Sequence, residues 1–183
     1  GWMGQIFDVI KDRPVNRIVI PGSHDSGTYN LGDVLSPDYS IPVKLNGALI
    51  NSLARTQYYS LAEQLDRGVR YLDIRLCNDG SKLLVCHSVF ARDLTIESVF
   101  EQVRNFMIQD MNKQELVIVD IQAVQGWDNF NDVLKNKIKD AANKYLGNLM
   151  AREDQFKATS TFSTFIQSGK RVIILQNSPN TSL

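Results

Sequence analysis

Five short runs of β-branched and other apolar residues predict the strands of this chain. Several are apolar almost throughout, which is typical of strands buried on both faces. The predicted strands cover Arg17–Ile20, Tyr71–Leu76, Leu83–His87, Leu116–Gln122 and Arg171–Gln176.

Apolar residues at helical spacing predict helices between these strands. The clearest covers Thr95–Gln109, where Thr95 is available as the N-cap. Three others are predicted over Thr56–Asp66, Asp128–Leu146 and Thr159–Gln167. Strands that alternate with helices favour an α/β fold with a parallel sheet.

One connection is too short for a parallel crossover. Only Asn78–Ser81, with an Asp-Gly pair, separates the second predicted strand from the third. A parallel crossover needs about a dozen residues or more, so these strands form an antiparallel hairpin. In the pleat Asp73 and Arg75 share one face, and the returning strand brings His87 back near the level of residues 72–73.

The segment 31–53 has no clear periodicity, although it contains many apolar residues. Loops of this length in compact domains are usually lids or binding elements. We therefore expect this segment to cover or border a site.

Length and composition bound the class of protein. The 183 residues suit one domain and fall short of the about 250 that a complete eight-unit α/β barrel needs. No apolar run approaches the roughly 18 residues of a membrane-spanning helix. Twenty basic and twenty acidic residues give no net charge, so we expect no nucleic-acid partner.

Cysteine usage and the first residues bear on the compartment. Cys77 and Cys86 are too few for a disulfide framework and lack metal-ligand spacing, so a reducing compartment is the default. Gly1–Gly4 has no basic stretch leading into an apolar one, so no signal peptide is visible. We expect a cytoplasmic or peripheral membrane location.

The two histidines both lie at the ends of predicted strands, where α/β folds build their sites. His24 and His87 could supply a general base and a general acid near neutral pH. The alternative for each is a hydrogen-bonded structural histidine. A serine triad of Ser23, His24 and Asp25 is disfavoured because adjacent residues cannot adopt the relay geometry.

Arg75 lies within a strand-like run, where a charge is costly unless it is paired or bound to an anion. One interpretation is a salt bridge to Asp73 or Asp25. The other is a fixed guanidinium that binds a phosphate, since its planar fork suits phosphate better than an ammonium does.

The chain resembles a known family in four segments. Residues 20–28 (IPGSHDSGT), residues 68–75 (GVRYLDIR), His87 and residues 116–122 (LVIVDIQ) resemble, in order and spacing, the X region of phosphatidylinositol-specific phospholipase C. The similarity spans about residues 2–177. The resemblance implies a TIM-barrel-like phosphodiesterase fold, of which this chain holds only the N-terminal part, about five strands, within one catalytic domain over residues 1–183.

The resemblance also implies roles for the matching residues. His24 would take the proton of the inositol 2-hydroxyl, and Arg75 would stabilise charge on the phosphate. His87 would protonate the diacylglycerol leaving group, and Asp25 would hold His87 and Arg75 in place. The substrate is then a phosphatidylinositol-type lipid, and the product is diacylglycerol with a cyclic inositol phosphate.

The chain departs from the family at positions that bear on metal binding and on recognition of the lipid headgroup. The metal-ligand positions of the calcium-dependent branch hold Asp25, Asp73, Arg75 and Gln122, and a fixed arginine would repel a metal, so we expect no metal and no cofactor. Gln122 and Asn177 replace basic residues of bacterial members, so both, with Asp73, are predicted to contact substrate. The carboxylate that orients the first histidine in the family comes from a late strand, beyond residue 183.

Two alternatives to an enzyme stay open. One is a binding module that recognises an inositol phosphate or lipid headgroup without turnover, and a weaker one is a structural interaction domain. For an enzyme of this kind the apolar segment 31–53 would make transient contact with a membrane surface; its alternative is packing over the barrel mouth.

Overall fold

The computed structural model describes residues 1–39, 46–123 and 132–177. Within these residues seven strands form one mixed sheet, and seven α-helices precede or connect them. The strands are Gly22–Ser23 (β1), Leu31–Leu35 (β2), Tyr71–Asn78 (β3), Leu83–His87 (β4), Val89–Thr95 (β5), Val117–Ala123 (β6) and Val172–Asn177 (β7). The helices are Trp2–Gln5 (α1), Phe7–Ile10 (α2), Gly47–Ala54 (α3), Leu61–Asp66 (α4), Ile96–Met107 (α5), Asp132–Leu146 (α6) and Phe162–Ser168 (α7).

Strand β3 is the centre of the sheet, whose order is β2-β5-β4-β3-β6-β7. One edge of β3 pairs in parallel with β6 along its length. The other edge is shared, because β1 pairs in parallel with Tyr71 and Leu72 while β4 pairs antiparallel with residues 76–78. Among the described residues, 73–75 therefore have no strand partner on that edge.

The two faces of the sheet have different characters because side chains alternate along a strand. Leu72, Ile74 and Leu76 of β3 are fully buried in the larger core together with Phe100 and Val103 of α5. Tyr71, Asp73 and Arg75 occupy the opposite face. A second apolar cluster, built from the two N-terminal helices, α7 and their neighbours, contains Met3, Ile10, Val15, Leu116, Phe162 and Phe165.

Elements with strong patterns are confirmed. Strands β3, β4, β6 and β7 lie within two residues of their predicted bounds, and the β3–β4 connection is antiparallel. Helix α5 begins where predicted, and the Thr95 side chain accepts the Ser98 N–H. Continuing the Leu76–Val85 register places His87 beside Ile74, one residue from the predicted level.

The predicted strand Arg17–Ile20 is wrong. Residues 15–17 form a 3-10 turn, and pairing with β3 begins only when the Pro21 carbonyl accepts the Arg70 and Tyr71 N–H groups. Ile18 and Ile20 pack against the second core, whereas Val19 is 93% exposed. This stretch is apolar because it packs on that core, with β1 following at residues 22–23.

The segment 31–53 is not one long loop, and the helix that follows it starts later than predicted. It contains β2 and α3, while residues 40–45 lie outside the described part. The helix expected over Thr56–Asp66 begins at Leu61, because a Ser60–Glu63 capping box fixes its start.

Strand β5 was not predicted at all, since it follows β4 after the single residue Ser88. Helix α6 begins at Asp132, and residues 128–131 lie outside the described part.

The two cysteines are joined, which corrects the expectation of reduced thiols. Cys77 near the end of β3 and Cys86 in β4 form a disulfide across the predicted hairpin. The bond lies two residues beyond Arg75 and directly before His87, so it ties together the two strands that carry them. Among the described helices, none combines the length and the apolar composition of a membrane span.

Candidate active site

The structure brings His24, Asp25, Arg75 and His87 together at the shared edge of β3. His24 follows β1, so it reaches β3 from the start of that strand, while His87 ends β4 and reaches it from the other end. Both imidazoles therefore lie at the level of residues 73–75, where β3 has no strand partner on this edge. The juxtaposition predicted from the hairpin is present.

Asp25 is the centre of this cluster. Its carboxylate is 1% exposed and lies 2.5 Å from Arg75 Nε through Oδ1. The second oxygen, Oδ2, lies 3.1 Å from His24 Nε2 and 3.5 Å from His87 Nε2. One buried negative charge is thus shared by a guanidinium and two imidazoles, and such a charge is tolerated only when it is paired.

The backbone around Asp25 is held in an uncommon conformation. Asp25 has φ of +46°, a left-handed value that Asp tolerates better than most residues do. Its N–H donates to Asp73 Oδ2, and its carbonyl accepts from both the N–H and the hydroxyl of Thr28. Gly27 packs so closely on β4 that an added Cβ would lie 2.7 Å from Val85 Cγ1. The sequence of residues 24–28 therefore fixes Asp25 under the two histidines.

His24 is bound at both ring nitrogens although its side chain is 66% exposed. Nδ1 lies 3.0 Å from Asp73 Oδ2, and Nε2 faces Asp25. Its backbone carbonyl accepts from the side chains of Thr56 and Gln57, in the segment before α4. The ring is thus anchored on a buried strand residue while its edge stays accessible to solvent.

His87 is oriented by helix α3. Its Nδ1 lies 2.7 Å from the carbonyl oxygen of Ala54, the last residue of that helix. A carbonyl only accepts hydrogen bonds, so Nδ1 carries the proton and Nε2 is the nitrogen that faces Asp25. Ser88, next in the chain, has φ of +62° and donates its N–H to Asp38 Oδ2. These contacts fix the turn that presents His87.

A second polar group lies on the same face, one strand away. Asp120 of β6 is the register partner of Asp73 and accepts from the Tyr71 hydroxyl at 2.5 Å and from the Gln122 amide at 3.2 Å. Burial, then the Asp120 hydrogen bond, raises the pKa of the Tyr71 phenol, so it stays a donor. Gln122 pairs with Arg75 on one side and with Asn177 on the other through the backbone. The Asn177 side chain lies outside the described part.

Several of these contact residues were missed from the sequence. The period-2 alternation of Tyr71, Asp73 and Arg75, and of Asp120 and Gln122, was a usable signal for a polar sheet face. Ala54 gave none, because it acts through its backbone carbonyl.

Three residues of the cluster have the types and spacing of metal ligands. Single ligand atoms of His24, Asp25 and Asp73 lie within 4.8 Å of one another, a spacing that could hold a cation. The Arg75 guanidinium contacts the same two carboxylates, with Nη2 3.6 Å from Asp73 Oδ2. The cationic position between the carboxylates is therefore filled by this side chain.

Sequence comparison identifies the family. The model of the phosphatidylinositol-specific phospholipase C X domain matches residues 35–178, a range that includes Asp73, Arg75 and His87 and begins after His24. A PI-PLC X-box domain-containing protein of Dictyostelium discoideum is 29% identical over 149 residues, covering 80% of this chain and 20% of the relative. PI-PLC X domain-containing protein 1 of Homo sapiens is 30% identical over 139 residues, covering 68% of this chain and 42% of the relative. The 1-phosphatidylinositol phosphodiesterase of Listeria monocytogenes is 29% identical over 144 residues, covering 79% and 38%.

Solved structures show the fold. The phosphatidylinositol-specific phospholipase C from Listeria monocytogenes superposes with a TM-score of 0.66 at 23% identity, covering 92% of this chain and 54% of that one. The S. aureus phosphatidylinositol-specific phospholipase C gives 0.68 at 18% identity, covering 99% and 53%. The predicted TIM-barrel-like α/β fold is confirmed, and the chain spans about half the length of these two proteins.

Proposed function

Because this chain belongs to the phosphatidylinositol-specific phospholipase C X-domain family, we propose that it cleaves phosphatidylinositol-type lipids at the phosphodiester bond. The products are diacylglycerol and a cyclic inositol phosphate. The observation that carries this proposal is the shared contact of Asp25 with His24, Arg75 and His87. It gathers two proton-transfer groups and one phosphate-binding cation around one small volume.

The proposed reaction uses each group once. The inositol 2-hydroxyl loses its proton to His24 Nε2, and its oxygen forms the new bond to phosphorus. The bond from phosphorus to the glycerol oxygen breaks, and His87, protonated at both nitrogens, gives its Nε2 proton to that oxygen. Arg75 stabilises the negative charge that grows on the nonbridging oxygens. A second round with water, in which the two histidines exchange roles, opens the cyclic phosphate.

We propose that this chemistry needs no metal. Arg75 already supplies a fixed positive charge between Asp25 and Asp73, and a divalent cation there would be repelled by it at short range. Gln122 and Asn177, on the neighbouring strands, are the proposed headgroup contacts. Both are uncharged, unlike the basic residues that the family resemblance places there.

The test is product formation in the presence of a chelator. Wild type, His24→Ala and His87→Ala are incubated with phosphatidylinositol in mixed micelles, and cyclic inositol phosphate is measured. We expect product from the wild type and a loss of about 10²–10⁴-fold in each variant, the usual contribution of a general acid or base. Absence of wild-type product at every lipid concentration would remove the enzyme proposal. Activity that appears only with added calcium would overturn the proposal of metal independence.

One observation favours a binding module as the second candidate. Both nitrogens of His24 lie close to carboxylates, Nδ1 to Asp73 and Nε2 to Asp25. Asp25 Oδ2 is 3.1 Å from Nε2, so this carboxylate stands where a substrate hydroxyl would have to approach the base. Binding of inositol phosphate to the wild type, without any product, would favour this candidate.

We also propose that the protein acts as a peripheral membrane protein through β2 and α3. Exposed apolar side chains lie along these elements and just after them: Val34, Leu35, Leu49, Leu53 and Tyr58. Helix α3 ends on the carbonyl that binds His87, so this apolar surface lies beside the candidate site. Apolar side chains at an interface bind lipid in proportion to the area they bury.

Replacing Leu49 and Leu53 together by serine is expected to weaken binding to phosphatidylinositol-containing vesicles about tenfold or more. The two side chains are one turn apart on α3 and are 51% and 72% exposed, so their loss removes lipid contact without opening the core. Co-sedimentation with sucrose-loaded vesicles measures this binding.

The matched control replaces Val9 and Val133, which are 64% and 61% exposed on α2 and α6, also by serine. We expect this control to bind vesicles as the wild type does. Equal weakening of both double variants would indicate nonspecific adsorption and would contradict a role for α3.

A further inference from the structure

Resting on the function proposed above, we propose that the Cys77–Cys86 disulfide positions His87, so that the activity depends on the oxidation state of this bond. The bond joins β3 to β4, and its second cysteine directly precedes His87. The reaction proposed above uses neither sulfur atom. The inference therefore adds a positioning role for a feature outside the group of side chains around Asp25.

The bond lies where β4 leaves β3. Among the described residues, the last backbone pair between the two strands is Leu76–Val85, and Cys86 is the next residue of β4. Beyond this point β4 pairs only with β5, and the pairs there include His87–Val89. The disulfide thus carries the connection to β3 one residue past the hydrogen-bonded ladder, as far as the neighbour of His87.

The two strands that the bond joins differ in their other support. Strand β3 is held independently of the bond, because residues 71–76 pair with β6, and Arg75 is among them. His87 instead ends β4 at the tight turn to β5, which consists of Ser88 alone. Release of the bond therefore frees the strand end that carries His87 and leaves Arg75 in place.

A carboxylate beside the bond supports the same turn. Asp38 Oδ1 lies 3.6 Å from Cys77 Sγ, and Asp38 Oδ2 accepts the Ser88 N–H at 2.7 Å. The Ser88 carbonyl accepts the Ser36 N–H at 3.1 Å. Both backbone groups of Ser88 are thus held by residues 36–38, and this segment contacts the disulfide. Loss of the bond is expected to loosen this support as well.

His87 depends on such support because few direct contacts hold its ring. Nδ1 lies 2.7 Å from the Ala54 carbonyl oxygen, while Nε2 is 3.5 Å from Asp25 Oδ2, longer than an ordinary hydrogen bond. A displacement of about 1 Å in a reacting group can lower a rate about a hundredfold. The Ala54 contact limits the displacement, so we expect a loss of about tenfold when the disulfide is broken.

Reduction breaks the link in a two-electron step. One thiolate of a dithiol attacks a sulfur of the disulfide and displaces the other, and the second thiolate then releases the protein. The dithiol is oxidised to its own disulfide, and Cys77 and Cys86 each end as a thiol. Both cysteines are buried, at 2% and 1% exposed, so a reductant reaches the bond slowly. The bond is therefore a durable link rather than a rapid switch.

Histidine NMR with and without dithiothreitol tests the inference independently of activity. The chain has two cysteines, so the reductant acts on this bond alone, and titration of free thiols follows the reaction from none to two. We expect reduction to shift and broaden the ¹⁵N imidazole signals of His87, which are assigned by comparison with His87→Ala. His24, which is held from β1 and β3, should keep its signals.

The double variant Cys77→Ala/Cys86→Ala is the matched control for the reductant. It should match the reduced wild type and should not respond to dithiothreitol. If it does not fold, reduction of the folded wild type gives the same reading. Unchanged His87 signals in folded, reduced protein would overturn the proposal, as would two free thiols in protein prepared without reductant. Simultaneous loss of native signals from both histidines would assign the bond to overall stability and also overturn the positioning role.

The kinetic arm separates this inference from the proposed function. Reduction should lower kcat for cyclic inositol phosphate formation about tenfold with little change in KM, and it should have no further effect in His87→Ala, which has already lost the acid. An unchanged rate in reduced wild type, or an equal loss in His87→Ala, would overturn the positioning role and leave the function standing. A wild type that is inactive in both states would remove the function, while the NMR result would still decide the role of the bond.

Discussion

Asp25→Asn should reduce the formation of cyclic inositol phosphate by about a thousandfold, within the range of a lost general acid or base. The Asp25 carboxylate is the group that contacts His24, Arg75 and His87 together. Asparagine has almost the same volume, but one of its two polar atoms is an NH₂ donor. In one orientation that donor faces Arg75 Nε, and in the other it faces the Nε2 proton that His87 must carry to act as the acid, so one attractive contact becomes repulsive.

The same substitution should lower stability. Removing one partner of a buried ion pair costs about 3–5 kcal/mol, and we expect the lower end because the Arg75 side chain is 26% exposed. Thermal unfolding of the variant measures this cost. Activity is compared at a temperature where both proteins are folded, so that the catalytic and structural effects are separated.

Asp93→Asn is the matched control for the backbone. Asp93 has φ of +54°, close to the +46° of Asp25, and its side chain is exposed on β5. Asn tolerates this conformation, so neither substitution strains the chain. The control should stay within about twofold of the wild-type rate, as surface changes usually do. An Asp25→Asn variant within tenfold of the wild type would contradict the central role of this carboxylate.

Much of the fold could be predicted because its strongest elements are encoded locally. Strands β4 and β7 are mostly apolar runs, β3 and β6 alternate apolar with polar residues over part of their length, and α5 has a clear helical period with an N-cap. Their bounds therefore follow from pattern alone. The short turn at 78–81 also fixed the β3–β4 pairing, because so few residues cannot make a parallel crossover.

The missed strands depend on contacts far away in sequence. Strand β1 is two residues long and is defined by its pairing with β3, about fifty residues later, which no local pattern encodes. Strand β5 follows β4 through Ser88 alone, whose φ of +62° is unusual for serine and gives no sequence signal. The disulfide was missed for a different reason: the hairpin was predicted, but two cysteines alone favoured reduced thiols.

The residues of the candidate site were predicted from the sequence, but the contacts between them were not. The hairpin argument placed His87 near Asp73 and Arg75, and His24 was placed by its position after a strand. The sequence could not indicate that β1 and β4 share one edge of β3, which is why both histidines meet Asp25. Nor could it indicate that Asp73 binds His24, because that contact depends on how the loop after β1 folds back.

Arg75→Lys is expected to lower kcat for cyclic inositol phosphate formation by about 10²–10³-fold, the usual cost of losing one donor to a developing charge. Lysine keeps the positive charge but replaces a planar fork with a single ammonium on a flexible stem. Arg75 uses Nε for Asp25 and Nη2 for Asp73, and its 26% exposure leaves part of the guanidinium accessible to a phosphate. An ammonium cannot hold both carboxylates and a phosphate oxygen in one fixed geometry.

The measurement is a kcat and KM pair in mixed micelles, with Arg92→Lys as the matched control. Arg92 is 62% exposed, and its Nη2 lies 3.0 Å from Asp33 Oδ2 on the surface between β5 and β2. Arg92→Lys therefore also replaces a paired guanidinium by an ammonium, but at an exposed position. Exposed pairs contribute little, and the control should stay within about twofold of the wild type. If only charge mattered, Arg75→Lys would match the wild type as well. A fall in kcat confined to position 75 would instead mean that the geometry of the guanidinium, held by Asp25 and Asp73, sets the rate.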